Sequence, residues 1–331
     1  MKHLKKLSGG TADMKDERIL LTGSSGTLGF HLLRQLERQQ GSKVMALLRA
    51  NSRLPTANAD VRFERVDFFD RPAIDALVRD FQPTCVIHCA ASGMQFPKPK
   101  WFDLIRFNVE VSLSLCECVA TIPGCRFVYV STGLSYRDQC RPLRESDPLD
   151  TLHPYGASKA AADILMRSAA AEFGVPLIVV RPFSFTGQGD DGTRLFPALL
   201  RAAAERIPLE LSPGDQVRDH CSGEDVAAGI ISATFPQSAV ARSGIYNLGS
   251  GNSSPLRALL EDIVAQLGLD IDLRFGARDY ARFEPMFLVA DISLAERELG
   301  WRPTTNLAHS VWRLAQASFP SLQLTEPKEW I

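Results

Sequence analysis

The sequence predicts a doubly wound α/β fold, in which helices cover both faces of a parallel sheet. Apolar strand-like runs alternate with stretches of helical spacing through the first half of the chain, as in repeated βαβ units. The run Thr84–Ala90 is apolar without interruption, which is typical of a strand covered on both faces. A glycine-rich turn, Gly23–Gly29, separates the first strand from the first helix. Sheets of this kind bind ligands at the carboxyl ends of their strands.

The elements of the first half follow from their spacing. Thr27–Gln39 has apolar residues at positions 28, 32, 33 and 36, which lie on one helix face. Proline is favoured in the first turn of a helix, where Pro154 stands. The predicted strands are Arg18–Thr22, Lys43–Leu48, Val61–Val66, Thr84–Ala90, Arg126–Ser131 and Pro176–Arg181. The predicted helices are Thr27–Gln39, Ala73–Val78, Trp101–Thr121 and Pro154–Phe173.

The pattern changes after Arg181. A turn-rich stretch at 187–192 is followed by shorter elements and no second glycine-rich turn. The helices predicted there span 193–205, 224–234, 255–266 and 292–299, and short strands are predicted near 244–248 and 286–290. This half is therefore predicted to form a smaller unit.

The glycine-rich turn has the spacing of a dinucleotide site. One glycine permits the tight turn, one lets the backbone approach a pyrophosphate, and one lets the helix pack on the sheet. The helix N-terminus adds N–H donors and partial positive charge. Its context, after a strand and before a helix, supports a pyrophosphate-binding turn. The candidate contacts are Gly23, Ser25, Gly26, Thr27, Leu28 and Gly29.

The next strand ends predict the type of dinucleotide. An NAD enzyme usually ends its second strand with an acidic residue that binds the ribose 2′-OH. Here the strand ends at Arg49, with Asn51, Ser52 and Arg53 behind it. A guanidinium pairs with a 2′-phosphate, so NADP(H) is favoured over NAD(H); the alternative is a solvated loop arginine. Asp67 can accept from the adenine amine. The candidate contacts are Arg49, Asn51, Ser52, Asp67, Phe68, Ala90 and Ala91.

Tyr155 and Lys159 are four residues apart on the helix predicted over Pro154–Phe173, so they share one side of it. A tyrosine is one of the side chains that serve as general acid or base. Together with the phosphate-binding turn, it predicts nicotinamide-dependent oxidoreduction at a carbonyl or carbinol.

Composition sets the limits of this prediction. The chain has 331 residues and a net charge of −1, which argues against nucleic acid as a partner. No apolar run approaches the roughly 20 residues that span a bilayer, so no membrane partner is expected. Seven cysteines without paired spacing predict reduced thiols, a cytoplasmic location and no metal site.

The predicted organisation has three parts. Residues 1–16 form a disordered tail, and residues 17–182 form an NAD(P)-binding Rossmann-type domain. Residues 183–331 form mainly a smaller substrate-binding domain, although the chain is allowed to cross back to the sheet.

Further motifs accompany the turn and the tyrosine. They are VYVST at 128–132, RPF at 181–183, RD at 218–219, YNLGSG at 246–251 and LGWRP at 299–303. In this combination the chain resembles the extended short-chain dehydrogenase/reductases, and among them the NAD(P)-dependent nucleotide-sugar epimerase/dehydratase family.

The resemblance implies catalytic roles for four residues. Tyr155 would be the acid-base residue, and Lys159 would bind the nicotinamide ribose and lower the tyrosine pKa by its charge. Thr132 would bond the substrate oxygen, and Asn108 would support the site. The remaining cofactor contacts would be Ser131, Tyr155, Lys159, Pro182 and Ser184.

The resemblance also implies a nucleoside-diphosphate sugar as substrate. Arg218 would contact the diphosphate and Arg282 would be a second arginine there; the alternative for both is a surface ion pair. The substrate-binding candidates are Ser92, Thr132, Phe196, Arg218 and Arg282. A homodimer is expected through the two helices that hold Asn108 and Tyr155.

Departures from the family pattern narrow the reaction. The family's 4,6-dehydratases carry an Asp-Glu pair directly after the Ser/Thr, and its uronate decarboxylases carry a Glu two residues after it. This chain has Gly133 and Leu134 at these positions. Members that epimerise beside a keto group use a Cys and a His, at positions that match Leu134 and Gly189. These departures leave a reaction in which a hydride and one proton move at a single carbon. Because of Arg49, the leading expectation is NADPH-dependent reduction of a 4-keto-6-deoxy nucleoside-diphosphate sugar, with Tyr155 as acid. The alternative is an NAD-dependent nucleotide-sugar 4-epimerase, and a more distant one is an NADP(H)-binding regulator without turnover.

Overall fold

A seven-stranded parallel sheet forms the centre of the computed structural model, which describes residues 16–38, 41–55, 61–93, 100–190, 192–235 and 243–327. The strands in chain order are β1 (Arg18–Thr22), β2 (Lys43–Leu48), β3 (Val61–Arg65), β4 (Cys85–His88), β5 (Arg126–Val130), β6 (Leu177–Pro182), β7 (Ser184–Thr186), β8 (Leu209–Leu211), β9 (Val217–Arg218), β10 (His220–Ser222), β11 (Gly244–Leu248), β12 (Ser254–Pro255), β13 (Leu273–Phe275) and β14 (Phe287–Leu288). Apart from Asp16, the predicted tail lies outside these ranges.

The strand order of the main sheet is β3-β2-β1-β4-β5-β6-β11, and each neighbouring pair is parallel. The direction of winding reverses between β1 and β4, which is where sheets of this kind bind ligands. The predicted Rossmann-type, doubly wound fold is therefore confirmed.

Helices cover both faces of this sheet. The α-helices of the described ranges, in chain order, are α1 (Thr27–Glu37), α2 (Arg71–Phe81), α3 (Trp101–Ile105), α4 (Val111–Ala120), α5 (Pro154–Phe173), α6 (Leu195–Glu205), α7 (Gly223–Thr234), α8 (Leu256–Leu267), α9 (Ser293–Leu299) and α10 (Leu307–Ser318). One apolar cluster joins the sheet to α1, α7 and α9, and a second joins it to α2, α4 and α5. Within the described ranges, none of these helices has both the length and the apolar character needed to cross a membrane.

The second half of the chain contributes to two places. Strand β11 is the seventh strand of the main sheet, and α7 packs against α1 on one of its faces. Helices α6, α8 and α10 form a separate cluster with a short sheet of β8 and β13. The chain thus returns to the sheet after residue 183, and the position of a domain boundary stays a prediction.

Helix α10 is the main element that the sequence analysis did not predict. Its cap is typical, since the Asn306 side chain accepts a hydrogen bond from the backbone N–H of Ala308 at 2.9 Å. Buried Val311 and Leu314 lie on the face that packs with α6 and α8. The apolar residues of 307–318 do have helical spacing. The segment directly follows a proline and two threonines, a composition that is typical of a loop.

Candidate active site

A cavity of about 520 Å³ opens at the carboxyl ends of the central strands. Its walls come from the turn after β1, the ends of β4, β5 and β6, the start of α5 and the segments around Arg218 and Glu284. The predicted site residues that line it are Gly23, Ser25, Gly26, Thr27, Leu28, Gly29, Ala91, Ser131, Thr132, Tyr155, Pro182, Ser184 and Arg218. Parallel topology brings these groups, distant in sequence, to one edge of the sheet.

The glycine turn fits a dinucleotide pyrophosphate. Gly23 has a φ of +78°, and a Cβ atom there would lie 2.7 Å from the backbone nitrogen of Ala90. A Cβ atom on Gly29 would lie 2.2 Å from the carbonyl oxygen of Gly23, so the turn and the helix meet too closely for any side chain. Helix α1 begins after Gly26 with no side-chain cap, which leaves backbone N–H groups for an anion.

Tyr155 and Thr132 line the same cavity. Burial raises the pKa of Tyr155 to about 12, and the positive charge of Arg194 acts in the opposite direction. The hydroxyl of Thr132, just after β5, accepts a hydrogen bond from the backbone N–H of Leu134 at 3.3 Å. Its own O–H stays available as a donor toward a substrate oxygen. Leu134 and Gly189 also line the cavity, so neither position supplies a second proton-transfer group.

Lys159 lies behind Tyr155 and is 1% exposed. Its Nζ atom is 4.2 Å from the centroid of the Tyr129 ring, and within the described residues it has no hydrogen-bond partner. Burial lowers the pKa of Lys159 to about 7, although the charges of Cys89 and Asp163 act to raise it. An unpaired buried ammonium fits the role of binding the hydroxyls of a nicotinamide ribose. We expected Lys159 to lower the pKa of Tyr155; burial instead raises it, and the charge acting against burial is that of Arg194.

Asn108 supports the site from a π-helical turn. The predicted helix Trp101–Thr121 is interrupted by this turn, Arg106–Glu110, between α3 and α4. The Asn108 amide donates to the carbonyl of Ser92 at 2.8 Å and to the hydroxyl of Ser158 at 2.9 Å. Its oxygen accepts from the N–H of Ser92 at 2.8 Å. Asn108 thus joins the loop after β4 to the helix of Tyr155, and it is not one of the residues that line the cavity.

The residues predicted to contact adenosine lie outside the cavity lining, at the ends of β2 and β3. Arg49 is exposed, and its guanidinium carbon is 5.6 Å from the centroid of the Phe107 ring. Asn51 and Ser52 belong to the turn behind it, whose carbonyls accept from Arg65, a cation that the sequence analysis missed.

Asp67, Phe68 and Ala90, the three other strand-end residues predicted to contact the cofactor, differ in exposure. Asp67 is exposed and accepts from the N–H of Phe69 at 3.0 Å. Phe68 is buried against Phe107, with ring centroids 5.7 Å apart. Ala90 is buried behind the cavity and donates to the hydroxyl of Thr22 at 3.2 Å.

Three of the predicted substrate contacts lie away from the cavity wall. Phe196 is 2% exposed and packs in the apolar cluster of α6, α8 and α10, with its ring 5.5 Å from that of His220. Arg282 is exposed and lies over the Phe283 ring. Ser92 is held through its backbone by Asn108. Phe196 is buried because it lies on the face of α6 that packs against the apolar residues of α8 and α10.

Arg218 does line the cavity, and it forms a short ion pair with Glu284, which lines it too. Arg194, His153 and Cys89 are further lining residues that the sequence analysis did not select. The position of His153 at the start of α5 could have indicated its place, because it caps this helix. Its Nδ1 accepts a hydrogen bond from the N–H of Gly156 at 3.3 Å. For Glu284 and Arg194 no local pattern pointed to the cavity.

Comparison with known proteins gives concordant results. Residues 19–249 match the model of a family described as the NAD dependent epimerase/dehydratase family. The chain is 25% identical over 308 residues to a UDP-glucose 4-epimerase of Lactobacillus helveticus, covering 86% of this chain and 92% of that relative. It is 29% identical over 335 residues to a UDP-glucose 4-epimerase of Neisseria meningitidis serogroup C, covering 90% and 96%.

Solved structures share the fold. A UDP-glucose 4-epimerase of Thermotoga maritima with UDP-glucose superposes with a TM-score of 0.83 at 20% identity, covering 92% of this chain and 100% of that one. A UDP-glucuronic acid 4-epimerase of Bacillus cereus in complex with UDP-glucuronic acid and NAD gives a TM-score of 0.80 at 24% identity, covering 91% and 98%.

Proposed function

This chain belongs to the NAD-dependent epimerase/dehydratase family, and we propose that it is an NAD-dependent 4-epimerase of a UDP-sugar. The observation that carries the proposal is that the glycine turn, Tyr155 and Thr132 line one cavity. That set suffices for oxidation and reduction at one carbon. The relatives named above support inversion at C4 rather than net reduction, so the alternative from the sequence analysis is preferred to its leading expectation.

The chain's own residues divide the work. Tyr155 takes the proton of the C4 hydroxyl as the C4 hydride leaves, and returns it when a hydride comes back to the opposite face of the sugar. Thr132 donates to the C4 oxygen and holds it beside Tyr155. Arg194 supplies positive charge that favours the ionised form of Tyr155, which burial disfavours.

The cofactor site is argued from the same groups. The glycine turn and the N-terminus of α1 would bind the pyrophosphate, and Lys159 would bind the nicotinamide ribose. When bound, NAD supplies the hydride acceptor and donor for the two half-reactions. The loops after β2 and β3, which hold Arg49 and Asp67, would face the adenosine end, because these strands follow β1 in the sheet.

A reductase that exchanges NADPH is the second candidate, and one observation favours it. Arg49 stands at the end of β2, where a guanidinium can pair with a 2′-phosphate. The two candidates differ in what they consume, because a 4-epimerase returns its cofactor to the starting state, whereas a reductase uses one NADPH per turnover.

The test incubates the purified protein with UDP-glucose or UDP-glucuronate, without added reductant, and separates the C4 epimers by chromatography. We expect epimer formation, retained NAD in an extract of the protein, and a fall of about 10²–10⁴-fold in turnover for Tyr155→Phe with NAD still bound. Epimerisation that persists unchanged in Tyr155→Phe, or activity that needs stoichiometric NADPH, would contradict the proposal.

A further inference from the structure

A second cavity, of about 270 Å³, opens where α1 meets α7 and α10. Its walls come from α1, the turn at 187–190, the start of α7 and the middle of α10. Helices α1 and α7 belong to the apolar cluster on the main sheet, whereas α10 belongs to the cluster of α6 and α8. The second cavity therefore lies at the junction of the two parts of the molecule. Among the described residues that line it, none takes part in the proposed reaction.

The lining of the second cavity carries more positive than negative charge. Three arginines line it, Arg34 and Arg38 from α1 and Arg313 from α10. Its described lining has one carboxylate, that of Glu224, which accepts from Arg313 at 2.6 Å and from Arg38 at 3.4 Å. The guanidinium of Arg34 is exposed and has no ion pair or hydrogen bond within the described ranges. Each guanidinium has five N–H donors, so one carboxylate cannot engage all of them. The excess of cationic donors favours an anion as ligand.

His31 adds an unsatisfied polar atom to the same lining. The residue is 9% exposed, and its Nε2 has no hydrogen-bond partner in the described part of the chain. Glycine at 187 and 223 makes room for this edge of the ring, because a Cβ atom there would lie 2.6 Å and 2.8 Å from Nε2. Burial lowers the pKa of His31 to about 4, so the ring is neutral near pH 7. A buried nitrogen without a partner is unfavourable, and a ligand oxygen that accepts from Nε2–H would remove that cost.

The arrangement of these donors favours a phosphate group over a carboxylate. Arg34 and His31 belong to α1, whereas Arg313 belongs to α10. A carboxylate offers two oxygens in one plane, but a phosphate group offers at least three in different directions, so each can accept from a different element. A water molecule takes about 30 Å³, so a cavity of about 270 Å³ also has room for a small organic group on the phosphate.

We propose that the second cavity binds the phosphate group of a small molecule, either inorganic phosphate or a phosphate monoester, through Arg34, Arg313 and His31. The site goes beyond the proposed 4-epimerase function and does not depend on it. The carboxylate of Glu224 competes with the ligand for the guanidinium groups, and so it weakens binding.

The turn at 187–190 separates the second cavity from the catalytic one. Gln188 lines the second cavity, and the next residue, Gly189, lines the catalytic cavity. The hydroxyl of Thr27, the first residue of α1, donates to the carbonyl of Gly189 at 3.2 Å. A phosphate group that joins α1 to α10 on one side of this turn therefore restrains a wall of the catalytic cavity on the other side.

The experiment titrates inorganic phosphate and glucose 1-phosphate into the protein by calorimetry. NAD and UDP-glucose, neither of which has a terminal phosphate group, are present in excess to occupy the catalytic cavity. The variants compared with the unaltered protein are Arg34→Gln, Arg313→Gln, Glu224→Gln and Arg79→Gln. Arg79→Gln is the matched control, because Arg79 is exposed and, like Arg34, stands in the last turn of an 11-residue helix.

We expect saturable binding of one phosphate group per chain. Arg34→Gln and Arg313→Gln should each weaken it by about 10-fold, the lower end of the range for a charge-assisted hydrogen bond. Arg79→Gln should leave the affinity unchanged, and Glu224→Gln should raise it. Tighter binding of glucose 1-phosphate than of inorganic phosphate would identify a monoester as the ligand, and the reverse order would identify the free anion.

Two results would overturn the inference. One is the absence of saturable binding to the unaltered protein, and the other is an affinity that neither Arg34→Gln nor Arg313→Gln changes, which would place the anion elsewhere. Hydrogen exchange tests the link to the catalytic cavity, because phosphate should slow exchange of the amides at 187–190 in the unaltered protein but not in Arg34→Gln. Unchanged exchange with phosphate bound would overturn that link. Epimerisation measured without phosphate tests the proposed function separately, since neither arginine lines the catalytic cavity.

Discussion

Replacing Lys159 by methionine should stabilise the cofactor-free protein and remove part of its pH dependence. The ammonium group is buried, has no hydrogen-bond partner among the described residues, and has a pKa lowered by burial to about 7. In the unfolded chain the same group has its ordinary pKa of 10.5. Between these two values the unfolded state binds the proton more tightly, so the free energy of unfolding rises with pH.

The size of the effect follows from these two pKa values. At about 1.4 kcal/mol per pKa unit, burial of the amine costs on the order of 4 kcal/mol at pH 7. Because the folded group is already half deprotonated near pH 7, the free energy of unfolding should rise by about 2 kcal/mol between pH 7 and pH 9 from this residue alone. Methionine has a similar length and no charge, so Lys159→Met should lack this rise and be more stable at pH 7.

The measurement is urea unfolding of both proteins, stripped of cofactor, at pH 7, 8 and 9. The difference between the two proteins at each pH isolates Lys159, because all other titrating groups are common to both. A difference that stays constant across this range would refute the reasoning. It would show that the folded Lys159 keeps its proton, and that its ammonium has a partner that offsets burial.

Two further predictions concern the glycine turn and the helix surface. Gly23→Ala should abolish NAD retention and destabilise the fold by about 1–3 kcal/mol, because φ is +78° and the new Cβ would meet backbone at 2.7 Å. Gly124→Ala is the control, since its φ is +74° and its Cβ would meet no described atom within 4 Å; equal NAD retention in the two variants would contradict this account. Phe102 on α3 and Ile164 on α5 are 78% and 50% exposed, so either one changed to glutamate should convert the expected homodimer to monomer in light scattering. Ile207 is 49% exposed and lies outside these two helices, so Ile207→Glu is the control and should leave the assembly unchanged. A monomeric unaltered protein would refute the prediction.

Much of the fold and part of the site could be predicted because the information is local. The turn with Gly23 and Gly29 is evident from its spacing, since the steric demand acts within a few residues of chain. Tyr155 and Lys159 share a helix face for the same reason. Strands such as Lys43–Leu48 have the predicted bounds because burial on both faces requires continuous apolar residues.

The remaining features depend on packing between distant segments. Arg194 falls within the helix predicted over 193–205, and its ion pair with Asp190 and its place at the cavity are visible only in the structure. Phe196 was expected at the substrate, but it packs in the apolar cluster that α6 forms with α8 and α10. Strand order is likewise invisible in a single sequence. A return of the chain to the sheet could therefore be allowed for, but the pairing of β11 with β6 could not be predicted.

The return of the chain to the sheet at β11 has a consequence for synthesis on the ribosome. When Pro182 has been translated, six parallel strands exist, but β6 lacks its outer neighbour and α7 is absent from the face over α1. At about 5–20 residues per second, Leu248 follows roughly 3 to 13 seconds later. Until Thr234 has been translated, Leu33 and Leu36 of α1 have no apolar cover from α7. The nascent N-terminal half therefore exposes apolar surface that the complete chain buries, and a fragment ending near residue 183 should aggregate when expressed alone.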